Sequence, residues 1–221
     1  AEIAALVEGL DARGLLTGCG AVLSGYLGTA AAGPVVLDAV RRVRDANPKA
    51  LWCCDPVIGD DGEIYVGDGI ADLFRDRAVP AADIVTPNAF EAGLLSGVTI
   101  GSPADAAGAA RRLLAMGPRI VVITGIRTGA SIATLAATAD GVWQTDTPAI
   151  DAPAQGAGDI FSALFLGHYL ECGDAANALS RAVSGVHAVL EATAGTGADE
   201  LMLIAALDAA INPPQIFPAR S

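Results

Sequence analysis

The chain is 221 residues long, with 25 acidic against 13 basic side chains, a formal net charge of −12 and 52% hydrophobic residues. This composition excludes a disordered or fibrous chain and sets one domain over 1–221 as the expectation. The acidic excess excludes nucleic acid and anionic membrane surfaces as partners, because no Lys/Arg cluster offsets it. A membrane helix of about 20 residues is excluded too, since the longest uncharged stretch, 14–37, is interrupted over 17–37 by Gly18, Gly20, Gly25, Gly28, Gly33 and Pro34.

The opening AEIAALVEGL has neither the basic start nor the cleavage pattern of a signal peptide. With no initiator Met, the chain is expected to continue upstream. Periodicity predicts a helix over 2–13, a strand at 21–23, a Gly-rich loop and a helix opened by Pro34. A strand at 50–54, a helix at 69–77, a strand at 83–85, helices at 88–95 and 103–116, and a strand at 120–123 follow. Strands alternating with helices imply right-handed crossovers and a mainly parallel sheet covered on both faces. Between 130 and 147 two alternating strands flank Asp140-Gly141, a hairpin signal that adds an antiparallel edge. Helices at 157–170, 174–191 and 198–211 complete the α/β pattern, the first apolar nearly all round, and the Pro-rich tail INPPQIFPARS reads as extended along the surface.

Lys49 is the single lysine, which excludes a G-x-x-x-x-G-K-[ST] phosphate loop. Cys53 and Cys54 point to opposite faces of a strand while Cys19 and Cys172 stand alone, so no zinc or disulfide spacing exists and a reducing cytoplasm is the expected setting. His168 and His187 read as satisfied structural histidines, and Trp52 and Trp143 as packing residues.

Four strands each end in a polar residue: Ser24, Asp55, Thr86 and Thr124. In an open parallel sheet ligands bind outside the carboxyl ends of the strands, so these four are expected along one ligand-facing edge. Gln155-Gly156-Ala157-Gly158-Asp159 precedes an apolar helix. Two glycines at a helix N-terminus leave backbone N–H groups and the positive dipole end open to an anion. Asp159 there suits either of two roles: a helix-capping carboxylate, or a base for a hydroxyl attacking a phosphate. Asp55 and Asp60 in DPVIGD, with Glu91 after Thr86-Pro87-Asn88, are hard oxygen donors of the kind Mg²⁺ takes.

The motifs SGYLG at 24–28, CDPVIGD at 54–60, IYV at 64–66, TPNAFE at 86–91 and GAGDIFSALFLG at 156–167 resemble, in order and spacing, the pyridoxal kinases of the ribokinase-like superfamily. Hydroxymethylpyrimidine kinases share DPV and TPN but carry a cysteine at the position of Asp159; sugar kinases share GAGD but differ at DPV and TPN. The resemblance implies a ribokinase-like three-layer sandwich that uses ATP and Mg²⁺ to phosphorylate the hydroxymethyl group of pyridoxal, working as a homodimer. It implies that Asp159 is the catalytic base acting on the substrate, and that Gly156, Ala157 and Gly158 form the anion hole. Asp55, Thr86, Glu91 and Thr124 take nucleotide or magnesium positions, Asp60 a metal position, and Thr147, Pro148, Ala149 and Ile150 line the adenine side. Arg127 is a candidate supplementary phosphate contact. Ala157 and Gly125 replace a threonine and a serine that are frequent in the family. The family also has a strand, a helix and a flap ahead of Ala1 that supply much of the ring pocket.

Overall fold

The computed structural model describes residues 2–221. Helix α1 (Glu2–Asp11) and a 3₁₀ turn (Leu15–Gly18) lead into strand β1 (Ala21–Ser24). Helix α2 (Ala32–Ala46) begins two residues before Pro34, so the proline sits inside the first turn, where its missing N–H costs nothing. Strand β2 (Leu51–Cys54) is followed by a small hairpin, β3 (Gly59–Asp60) and β4 (Glu63–Ile64), that the sequence pattern did not predict. With two residues per strand, it is too short to show an alternation.

The predicted helix at 69–77 is longer and irregular: α3 (Ile70–Leu73), a π-helical stretch (Phe74–Ala78) and α4 (Val79–Ala81). Strand β5 (Ile84–Val85), α5 (Ala89–Ser96) and α6 (Pro103–Leu114) match expectation within two residues. Strand β6 (Ile120–Thr128) runs five residues past its predicted end. The register shifts between Ile123 and Ile126, and Gly125 at φ +73° makes the bend that lets pairing resume. Strands β7 (Ser131–Ala137) and β8 (Val142–Pro148) form the expected hairpin, and α7 (Ala157–Cys172) and α8 (Ala175–Thr193) follow.

The predicted helix at 198–211 is reduced to α9 (Leu207–Ile211). The residues before it are held as turns: Gly195 and Gly197 have positive φ, and Met202 N–H donates to Thr193 Oγ1 at 3.0 Å. These ties to the end of α8 compete successfully with a helical turn.

The sheet order is β1-β2-β5-β6-β7-β8, parallel through β6 and antiparallel beyond it. Side-chain alternation sends Cys54, Trp52, Val85, Val121 and Ile123 into a core under α2 to α6, and Cys53, Ile84, Ile120 and Val122 into another with Phe161 and Phe165 of α7 and Leu179 of α8. Helices therefore cover both faces, as the alternating pattern required. The tail returns across α8, where Phe217 is held by Ser180 and Ser184, and Gln144 and Arg220 exchange two 2.8 Å backbone hydrogen bonds that cover part of the β8 edge.

Both histidines are buried but incompletely satisfied, which corrects the expectation. Their Nδ1 atoms lie 3.7 Å from Glu171 and 3.6 Å from Glu191, while each Nε2 has no partner among the described residues. Burial holds both imidazoles below their ordinary value, and Arg181 adds to this at His168, so the neutral forms persist.

Candidate active site

The backbone ladder brings the four polar residues together, although Thr124 now lies inside β6 and not at its end. Asp55 N–H donates to Ser24 O at 2.8 Å, Thr86 N–H to Cys54 O at 3.2 Å, and Thr124 N–H to Pro87 O at 3.0 Å. Asn88, past the end of β5, pairs in parallel with Thr124 at the bend within β6, where the predicted strand would have ended. Thr147 lies farther along the same edge, opposite Ile132, which pairs with Arg127. Ala149 N–H donates to Ala130 O at 2.9 Å and fixes the segment that contains Pro148 and Ile150.

Helix α7 points its N-terminus at this edge. Gly156 adopts φ +87°, a conformation that costs a side-chain-bearing residue strain, and no side chain caps the helix. Ala157 N–H is already given to Ala154 O at 2.9 Å. The expected triplet of amides therefore changes: within 156–159 the N–H groups without a backbone acceptor are those of Gly156, Gly158 and Asp159. The Asp159 carboxylate caps nothing, which removes the helix-capping alternative. A Cβ placed on Gly25 would stand 3.5 Å from Asp159 Oδ1, so the turn after β1 passes directly beside this acid.

Asp55 is buried at the end of β2, its Oδ2 accepting from Ser162 Oγ at 3.0 Å, and Ser162 Oγ is 2.8 Å from Thr86 Oγ1. Burial pushes the Asp55 carboxyl up to about 7, against the Ser162 hydrogen bond and with the charge of Asp159. Glu91, also buried, spans a turn. Its Oε1 accepts from Ile58 N–H at 2.8 Å and Gly59 N–H at 3.4 Å, and its Oε2 from Asn88 N–H at 2.9 Å, while Asn88 Oδ1 accepts from Glu91 N–H at 2.8 Å. This is a capping box whose acid also ties down the DPVIGD turn. Burial raises Glu91 to about 7 despite these donors, with Asp55 contributing.

Asp60 is exposed on the hairpin and accepts from Asp61 N–H at 2.9 Å. Among the described residues no three acidic, histidine or cysteine side chains gather closely enough to hold a metal ion. Asp55, Asp60 and Glu91 are thus neighbours along the edge and not a closed cage. A cavity of about 740 Å³ lined by Asp60, Phe90, Leu94, Gly125 and Arg127 runs beside this constellation and contains neither Asp55 nor Asp159.

Two participants lay outside the predicted set. Tyr65 follows β4, and its phenol is raised by burial and then by Glu91, Asp60, Asp55 and Asp159, which places it in the field of all four carboxylates. Ser162 touches both Asp55 and Thr86. Its spacing three residues after Asp159 on one helix face was the sequence signal that could have found it.

A pH test follows. The folded metal-free chain retains a proton on Asp55 between its ordinary value of 3.8 and about 7, where the unfolded chain has lost it. The contribution of Asp55 to stability therefore falls as pH rises through that window. Asp83 and the two histidines, whose values are lowered, act in the opposite sense over their own ranges. The comparison must accordingly be with Asp55→Asn: its melting temperature relative to the unmutated chain, in chelator, is expected to rise from about pH 5 to about pH 8. A relative melting temperature that is flat or falls over that range would contradict the burial argument.

Against known proteins, the sequence profile described as phosphomethylpyrimidine kinase matches residues 13–202. A pyridoxal kinase PdxY of Rubrobacter xylanophilus is 46% identical over 225 residues, covering 99% of this chain and 78% of the relative. One from Granulibacter bethesdensis is 44% identical over 228 residues, covering 99% and 80%. The pyridoxal kinase of Leishmania donovani, solved with ADP and pyridoxamine, superposes with a TM-score of 0.89 at 26% identity over 99% of this chain and 79% of that chain. That of Trypanosoma brucei gives 0.83 at 26% identity, covering 97% and 77%.

Proposed function

This chain belongs to the pyridoxal kinases, within the family whose profile spans residues 13–202, and we propose that it phosphorylates the hydroxymethyl group of pyridoxal and related vitamers at the expense of ATP. The observation that carries the reading is an uncapped Asp159 at an open helix N-terminus, beside Gly25 and the carboxylate of Asp55.

Asp159 takes the hydroxyl proton as the substrate oxygen bonds to the γ-phosphorus of ATP, whose bond to the β–γ bridging oxygen breaks so that ADP leaves. The Gly156, Gly158 and Asp159 amides and the α7 dipole stabilise the charge gathering on the transferred group, with Ala157 supplying only small bulk at the turn. Thr124 places a hydroxyl along the phosphate path, Thr86 stands beside it buried against Ser162, and Thr147 to Ile150 offer the adenine-side surface. The nucleotide is drawn in by these local dipoles, since a net charge of −12 repels it at long range.

The residues fit a magnesium ion by their donor chemistry: Asp55 is a hard oxygen donor held up to about 7 by burial near Asp159, and a cation there restores its charged form. Asp55, Asp60 and Glu91 would hold it, the three backbone donors on Glu91 leaving its carboxylate acceptor capacity to spare. Mg²⁺ so placed supplies neutralisation of phosphate charge.

We also propose one domain over 1–221 and a homodimer in a reducing cytoplasm. Support comes from the four unbridged cysteines and from exposed apolar side chains at Ile204, Leu207, Ile211 and Ile216 that a second copy would cover. No described helix is long and apolar enough to cross a membrane.

The test is ATP consumption against pyridoxal, hydroxymethylpyrimidine and ribose, where pyridoxal is expected to be preferred. Preference for either competitor would overturn the substrate and leave the kinase.

A further inference from the structure

Ser162 is 1% exposed and stands one turn beyond Asp159, at the point where β2, β5 and α7 meet. Its Oγ lies 3.0 Å from Asp55 Oδ2 and 2.8 Å from Thr86 Oγ1. A serine hydroxyl has a single proton to give, and an ionised carboxylate only accepts. With Asp55 ionised, as a cation beside it would make it, Ser162 donates to Asp55 and Thr86 donates to Ser162. In that state the chain runs from Thr86 to Ser162 to Asp55.

Its far end is the Asp55 oxygen that faces the anion-hole turn, since a Cβ placed on Gly158 would lie 4.0 Å from Oδ2. The other oxygen, Oδ1, has no hydrogen-bond donor among the described side chains and backbone groups. A carboxylate gripped at one oxygen has its rotation fixed, and the free oxygen is then presented in one orientation without an ordering cost when a ligand arrives. Because Ser162 and the open amides ride on the same helix, any shift of α7 would move the anion hole and the Asp55 clamp together.

We propose that Ser162 is a positioning residue for phosphoryl transfer, holding Asp55 through Oδ2 so that Oδ1 remains free for the magnesium–nucleotide while keeping that carboxylate in register with the anion hole. This rests on the assignment of Asp55 to the magnesium–nucleotide made above.

The experiment is calorimetric titration of ADP with and without Mg²⁺, alongside steady-state kinetics with pyridoxal, on Ser162→Ala, Ser162→Thr, Thr86→Val and the Ser162→Ala/Thr86→Val pair. Loss of a hydrogen bond to a charged group corresponds to roughly a tenfold or larger change in a binding constant. Ser162→Ala is expected to weaken ADP binding about tenfold with Mg²⁺, to leave metal-free binding unchanged and to lower kcat without moving the KM for pyridoxal. Ser162→Thr should restore the Mg²⁺-dependent part, and the double variant should lose no more than the worse single one, because the two hydroxyls act as one chain. Thr86→Val approaches the same chain from β5 and decides the matter if a change inside α7 impairs folding. Equal losses with and without Mg²⁺, an unaffected Ser162→Ala, or no Mg²⁺-dependent component in the unmutated chain would overturn the proposal. An unmutated chain that binds ADP with Mg²⁺ yet leaves pyridoxal unmodified would overturn the substrate reading alone, and the titrations would still judge Ser162.

Discussion

Asp159→Asn is expected to lower turnover about 10²- to 10⁴-fold, the usual contribution of a positioned general base, with nucleotide affinity nearly unchanged. The amide occupies the same volume but cannot take a proton at neutral pH. Asp159 makes no helix cap and accepts no hydrogen bond from the described residues, so its replacement removes no contact that holds α7 in place. The three open amides remain, since they belong to the backbone, and the charge the substitution removes is one that repelled the phosphates. Single-turnover rates with pyridoxal and a separate ADP titration distinguish the two quantities. Near-normal turnover would show that the proton goes elsewhere.

Glu91→Gln is expected to cost stability and to weaken magnesium–nucleotide binding more than metal-free nucleotide binding. Both carboxylate oxygens are occupied by three backbone N–H groups, from Ile58, Gly59 and Asn88. An amide can present one oxygen, so its NH₂ must face at least one of these donors, at about 1–3 kcal/mol for a buried donor left unmatched. Removing a buried charge offsets part of that loss above the Glu91 value of about 7. The remainder acts on the DPVIGD turn that Glu91 anchors, and through it on Asp55 and Asp60. Thermal melting at pH 8 reads the first effect, and ADP titration with and without Mg²⁺ reads the second. Equal affinity losses in both titrations would confine Glu91 to holding the turn.

The sequence by itself determined the layering and the edge that carries the site. Alternating strand and helix periods required a mainly parallel sheet with helices on both faces, and the polar residue at each strand end marked Ser24, Asp55, Thr86 and Thr124 as neighbours before any coordinate was known. Asp140-Gly141 marked the place of the antiparallel hairpin, though its strands are joined through four residues, 138–141, and not through a two-residue turn. What failed was decided by partners distant in sequence. The first part, 198–206, of the helix expected at 198–211 yields to Thr193, and β6 runs on past Thr124 because β7 is there to pair with it across a glycine bend. Within the site, periodicity could not say which amides of the Gly156 turn stay open, since that depends on Ala154 taking the Ala157 N–H. It could not say that Glu91 Oε1 accepts from backbone N–H groups 33 and 32 residues away. Nor could it bring Ser162 to Asp55 across 107 residues of chain. Side-chain type and spacing specify which element a residue joins and which face it takes, whereas a hydrogen bond between elements depends on how those elements pack, and only the tertiary structure fixes that.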